Sequence, residues 1–127
     1  MSLRLQQKEN IIMTIQNDSN GKVKDISSML VRLQQWYHSM CDGDWEHCYG
    51  VKIETSDNPG WIVEIDIIDT PLENKPFDPI HNGETDDNYF ICKIENGKFE
   101  GCGDATKLEN ILKVFLNWAE ENTNTSR

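Results

Sequence analysis

YGVKIETSDNPGWIVEIDII, residues 49–68, alternates in polarity on both sides of a turn, and that alternation sets the fold. From Tyr49 to Thr55, Val51, Ile53 and Thr55 fall on one face while Lys52 and Glu54 fall on the other. This is the period of two expected of a half-buried strand. Trp61 to Ile68 repeats the pattern, with Trp61, Val63, Ile65 and Ile67 on one face and Ile62, Glu64, Asp66 and Ile68 on the other. Asp57-Asn58-Pro59-Gly60 between them is dense in residues that fix or tolerate turn dihedrals, so the pair reads as a β-hairpin.

On the N-terminal side, Ile26, Met29, Leu30, Leu33, Trp36, Tyr37 and Met40 form one apolar stripe at helical spacing. The stripe predicts a helix over about 25–40, with Asp25 or Ser27 placed to cap it. Cys41-Asp42-Gly43-Asp44 ends it, Gly43 supplying the left-handed residue. On the C-terminal side, Pro71, Pro76 and Pro79 remove donors and fix φ, so residues 70–88 read as a long acidic loop. Tyr89–Glu95, Asn96-Gly97 and Lys98–Glu100 form a second hairpin, since Asn-Gly is the strongest two-residue hairpin signal. Gly101-Cys102-Gly103 reads as a break in its second strand. Asp104 is placed to cap a last helix running to about Glu121, with Leu108, Ile111, Leu112, Phe115, Leu116 and Ala119 on its apolar face and Trp118 beside them.

The expected fold is therefore α+β: an antiparallel sheet of about four strands in two hairpins, flanked by an N-terminal and a C-terminal helix packed on one face. Residues 1–24 form a poorly patterned leader, 25–121 a single domain and 122–127 a polar tail. A chain of 127 residues has room for one such core without staples.

Charge divides the chain unevenly. Residues 41–100 hold four Lys/Arg against fifteen acids, a net of −11, whereas residues 1–40 carry +2 and 101–127 carry −1. An acidic middle repels phosphate backbones, which argues against direct nucleic-acid binding, and suits a basic protein partner. Solubility alone explains the same charge equally well. No apolar run approaches the roughly 20 residues of a membrane span, and Leu3 to Asn10 is too polar for a signal core. The expected location is cytoplasmic. Cys41, Cys48, Cys92 and Cys102 match no common zinc spacing and read as reduced thiols, Cys92 at a core strand position.

The segment densest in chemistry is Trp36 to Gly50. Asp42, Asp44, Glu46 and His47 are a conceivable divalent-metal or acid–base set, which makes a small metal-dependent enzyme the rival functional reading. The Asp-x-Asp-x-Glu spacing lacks the twelve-residue frame of an EF-hand, so no metal or other cofactor is expected. The plainer reading gives Asp42 and Asp44 to the helix exit and turn, and Trp45 and Tyr49 to the core. A third reading is an interaction module whose acidic surface serves an unrelated role.

Leu33-Gln34-x-Trp36-Tyr37, then Cys41-Asp42-Gly43-Asp44-Trp45-Glu46-His47, then Tyr49-Gly50, resembles the immunity protein 53 family of bacterial polymorphic toxin systems. So do Asp57-Asn58-Pro59-Gly60-Trp61, Glu64-Ile65-Asp66, Thr70-Pro71-Leu72-Glu73, Phe99-Glu100-Gly101-x-Gly103 and the helix Leu108 to Trp118. The resemblance covers about residues 28–119. It departs at Met40, where the family often has Gln. It implies a non-catalytic protein that binds and neutralises a cognate toxin domain. The acidic middle fits a basic toxin, a nuclease among the candidates. The residues placed to meet the toxin are Asp42, Asp44, Trp45, Glu46, His47 and Trp61: aromatic anchors in an acidic surround. Trp61 is equally well read as a core residue, because it heads a strand on the apolar face.

Overall fold

A computed structural model describes residues 29–123. The chain divides into two compact units, residues 1–32 and 33–127. The leader, the expected helix start at Asp25 and residues 124–127 lie outside the described residues. Of the first unit, the described part is the opening turn of α1, where the Arg32 guanidinium approaches the Met29 sulfur at 3.8 Å.

The described elements run α1 (Met29–Met40), α2 (Trp45–Cys48), β1 (Val51–Ser56), β2 (Gly60–Asp66), β3 (Ile80–Thr85), β4 (Asn88–Glu95), β5 (Lys98–Gly103) and α3 (Leu108–Thr123). The strands form one antiparallel sheet in the order β1-β2-β5-β4-β3. The α+β class and both expected hairpins are present, but among the described residues the sheet has five strands rather than four, and α2 adds a third helix.

The register carries the predicted alternation across the sheet. Val51, Ile53 and Thr55 pair with Ile65, Val63 and Trp61, and those three face Phe99, Gly101 and Gly103. Phe90, Cys92 and Ile94 continue the row on β4. Val63, Ile65, Cys92 and Phe99 are fully buried on this face. The opposite face is mostly charged apart from the row Ile62, Cys102 and Ile91, with Lys52 and Lys98 both near Glu64 and Lys93 near Glu95 and Glu100. These pairs are solvent-exposed and contribute little to stability.

Helix α3 lies over the buried face. Ile111, Leu112, Phe115, Leu116, Trp118 and Ala119 are all buried, the i, i+4, i+7 stripe that the sequence spells. Phe115 is the hub of an aromatic cluster, with ring centroids 5.0 Å from Trp36 of α1 and 5.1 Å from Phe99 of β5. Phe77 extends the cluster to Trp118 at 5.1 Å. Such edge-to-face pairs add to the area they bury.

Two local readings need correction. Gly101-Cys102-Gly103 does not break β5; the strand continues to Gly103. Each glycine faces the core where a side chain would collide: a Cβ on Gly101 would meet the Ile111 Cγ2 of α3, and one on Gly103 would stand 2.9 Å from the Phe90 Cβ. The missing side chain at Gly101 lets α3 approach the sheet closely, and the one at Gly103 makes room for β4 and for Lys107. Residues 70–88 are not wholly a loop either. Ile80–Thr85 pairs with β4 as an edge strand, with a register shift between Asn82 and Thr85 around left-handed Gly83. With one apolar residue and an irregular ladder, β3 has no alternation to read. The remainder of that loop is packed down. Leu72 is fully buried, the Thr70 hydroxyl donates to the Ile67 carbonyl, and the Trp118 indole donates to the Pro76 carbonyl at 2.8 Å.

Candidate functional site: the acidic end of the sheet

The turn between α1 and β1 is built from its own carboxylates. The N–H groups of Asp44 and Trp45 donate to Asp42 Oδ1 at 2.9 and 3.0 Å. The N–H groups of Asp42 and Gly43 donate to the two oxygens of Glu46 at 3.0 and 2.9 Å. This reciprocal arrangement satisfies orphan donors at the start of a helix, as a capping box does. Gly43, at φ 98°, holds the left-handed corner. Both carboxylates are stabilised as anions. Asp42 lies below its ordinary pKa through the N–H of Trp45, then that of Asp44. Glu46 lies below its own through its backbone N–H, then those of Asp42 and Gly43, with the nearby His47 adding.

Beneath the turn, Trp45 is buried, with its indole N–H donating to the Ile68 carbonyl at 3.0 Å and its ring 5.9 Å from Trp36. That bond joins the turn to the far end of β2. There Gly50 donates to Asp66 Oδ2 at 2.9 Å, and Asp69, in a left-handed conformation at φ 62°, donates its N–H to Glu73 Oε1 at 3.1 Å. Tyr49 stands in the middle of this end. Its phenol is raised above its ordinary value first by burial, then by the charges of Asp69, Cys48, Asp66 and Glu73.

The tertiary structure therefore gathers Asp42, Asp44, Glu46, Asp66, Asp69 and Glu73 at one end of the sheet. Among the described residues none of the six lies in an ion pair. A depression of about 370 Å³ opens beside them over the polar face of the sheet, lined by Glu46, His47, Tyr49, Lys52, Glu64, Asp66 and Lys98 among others. Asp44 and His47 are exposed, and Asp44 makes no capping bond. Among the described residues no group of three His, Cys, Asp or Glu side chains is arranged to hold a metal ion.

Of the six residues read from the sequence, Asp42, Asp44, Glu46 and His47 stand together on the surface of this end. Trp45 is with them but underneath, as a core anchor. Trp61 is elsewhere: it pairs with Thr55 and Gly103 at the opposite end of β2, and its indole donates to the Ala105 carbonyl at 2.9 Å. From Trp61 to Asp66, five steps along the strand, the separation is roughly 17 Å. The sequence reading missed Asp66, Asp69 and Glu73 because their approach to the turn depends on pairing Gly50 with Asp66. The one local signal was the acidic Asp69–Glu73 stretch following a buried strand.

The fold and this end of the sheet define a small α+β protein whose concentrated feature is fixed surface charge. The chain belongs to the immunity protein 53 family, whose family model matches residues 30–120. Membership implies the role of an immunity protein. No curated protein and no solved structure matches the chain. Among the described residues no helix is long and apolar enough to cross a membrane.

Proposed function

We propose that the protein neutralises a basic toxin domain by capping it with the acidic end of the sheet, Asp42, Asp44, Glu46 and His47 lying at the contact together with Asp66, Asp69 and Glu73. The observation that carries this reading is the gathering of six carboxylates, none of them ion-paired among the described residues, around a buried aromatic base. A cationic face meeting such a surface gains Coulomb energy in the complex, and it is steered on approach. The hydrogen bonds that tie Asp42 and Glu46 to the backbone fix the charges in advance, so little side-chain entropy is lost on binding. The same bonds weaken the rival reading of a metal-dependent enzyme. Carboxylate oxygens already accepting backbone N–H groups are poorly placed to ligate a metal or move a proton. A nuclease is one toxin with a basic face, and it fits this proposal without being required by it.

The test is binding of the toxin domain encoded beside this chain to wild type and to an Asp44→Asn/Asp69→Asn variant. Neither substitution removes a side-chain hydrogen bond named above, and Asn tolerates the left-handed backbone at position 69. The variant is expected to associate roughly three- to tenfold more slowly at low ionic strength, with a flatter salt dependence and an unchanged melting temperature. Failure of wild type to bind or to rescue growth overturns the pairing with that toxin. Wild-type binding with an unaltered variant moves the contact away from this end of the sheet.

A further inference from the structure

The two edges of the sheet are finished differently. β3 is broken by its register shift, turns at Gly83 and ends in Glu84, Asp86 and Asp87, features that discourage strand addition. β1 has neither a register shift nor an internal glycine. It pairs with β2 in unbroken register from Val51 to Ser56, contains no proline and forms the other edge.

Its free hydrogen-bonding groups can be assigned. Gly50 turns toward β2, its carbonyl accepting the Asp66 N–H at 3.1 Å and its N–H reaching Asp66 Oδ2. Bonding direction alternates along an antiparallel strand. Lys52 and Glu54 therefore also bond toward β2, whereas Val51, Ile53 and Thr55 point their N–H and C=O groups outward. No described strand takes them up. Beside this edge, on the buried side of the sheet, runs an apolar groove of about 370 Å³ lined by Leu33, Gln34, Tyr37, Gly50 and Val51.

We propose that the β1 edge is a self-association surface, on which a second copy of this chain adds its own β1 antiparallel across a two-fold axis at Ile53. The register is set by the sequence. With Ile53 opposite Ile53, Val51 of each copy faces Thr55 of the other, and the outward N–H and C=O groups of all three residues meet. On the polar face, Lys52 of each copy falls opposite Glu54 of the other, giving two complementary cross-strand charge pairs. A two-fold contact requires a surface that complements itself, and Lys-Ile-Glu centred on an outward-bonding residue does so. The groove beside Val51 leaves room for Thr55 of the second copy. The contact adjoins the acidic end, whose depression Val51 and Lys52 also line, but uses none of its six carboxylates.

The proposal does not rest on the toxin reading, and its test needs no toxin. Sedimentation equilibrium of the full chain from about 5 to 200 µM is expected to show a concentration-dependent rise toward twice the 14.7 kDa chain mass. Lys52→Glu and Glu54→Lys should each weaken dimerisation by roughly tenfold, because each sets like charges opposite one another twice. The double charge swap should restore it to within roughly threefold, a rescue that general loss of stability would not produce. Ile53→Pro, which removes an outward donor on an edge where proline is tolerated, should abolish the dimer. Circular dichroism checks that each variant is folded. A wild type that stays monomeric at 200 µM overturns the proposal, as do single charge variants that dimerise like wild type. If the monomeric protein binds toxin and Ile53→Pro weakens that binding, the edge belongs to the toxin instead of a second copy.

Discussion

Replacing Gly101 by Ala tests the packing that holds α3 to the sheet. On an exposed strand, Gly→Ala removes unfolded-state entropy and stabilises by roughly 0.5–1 kcal/mol. At position 101 the added methyl meets the Ile111 Cγ2, with the Ile111 Cβ at 3.6 Å and the Phe99 Cε2 at 3.4 Å behind it. Ile111 and Phe99 are themselves fully buried, so neither has free space to retreat into. Overpacking of this kind costs about 1–3 kcal/mol. Set against the entropic gain, the net expectation is a loss of about 1–2 kcal/mol. At about 3–6 °C per kcal/mol for a chain of this size, the melting temperature should fall by roughly 3–12 °C. Urea unfolding at constant m is the assay. The clash is with the branch methyl of Ile111, so Ile111→Leu, which has no Cγ2 on Cβ, should relieve it. Alone it should cost less than about 1.5 kcal/mol, and in a double-mutant cycle it should show favourable coupling of at least about 0.5 kcal/mol. A neutral or stabilising Gly101→Ala would refute the reasoning, because it would mean that α3 does not press on β5 at this glycine.

Leu112→Ala, at a position 2% exposed on the same helix, should destabilise by about 2–5 kcal/mol in the same urea assay. Asp42 and Glu46 titrate below their ordinary range in the folded chain, so their contribution is present above the unfolded values near pH 4 and is lost as pH falls through the lowered ones. Melting temperature should therefore drop as pH falls below about 4, and Asp42→Asn/Glu46→Gln should flatten that limb. Cys92 behaves oppositely. Burial raises its thiol from 9.0 to about 12, so the contribution is intact below about pH 9 and is lost as pH rises toward 12. Under native conditions a thiol reagent should modify exposed Cys48 first and reach Cys92 on the unfolding timescale, read by mass spectrometry of the labelled peptides.

What was legible in the chain was whatever depends on local period. The alternation in 49–68, the Asn96-Gly97 turn and the Leu108–Ala119 stripe are short-range patterns, each dictated by which face of a strand or helix must leave water. They gave the α+β class, both hairpins and the buried faces. The Cys41–His47 motif gave the family, and with it the expectation of a partner. What escaped was everything set by contacts distant in sequence. β3 has one apolar residue and exists because β4 offers it a ladder. Gly101 and Gly103 look like a strand break until α3 lies across the first and β4 crowds the second. Asp42 and Glu46 sit in one seven-residue motif, but the patch they belong to also needs Asp66, Asp69 and Glu73, twenty to thirty-one residues on in chain order. Pairing of Gly50 with Asp66 and the bond from Trp45 to Ile68 bring those charges together. The same register carries Trp61 to the other end of the strand. Charge balance and aromatic content are sums over residues, which a sequence states outright. A surface is a set of neighbours, and neighbours across a sheet are decided by strand order and register.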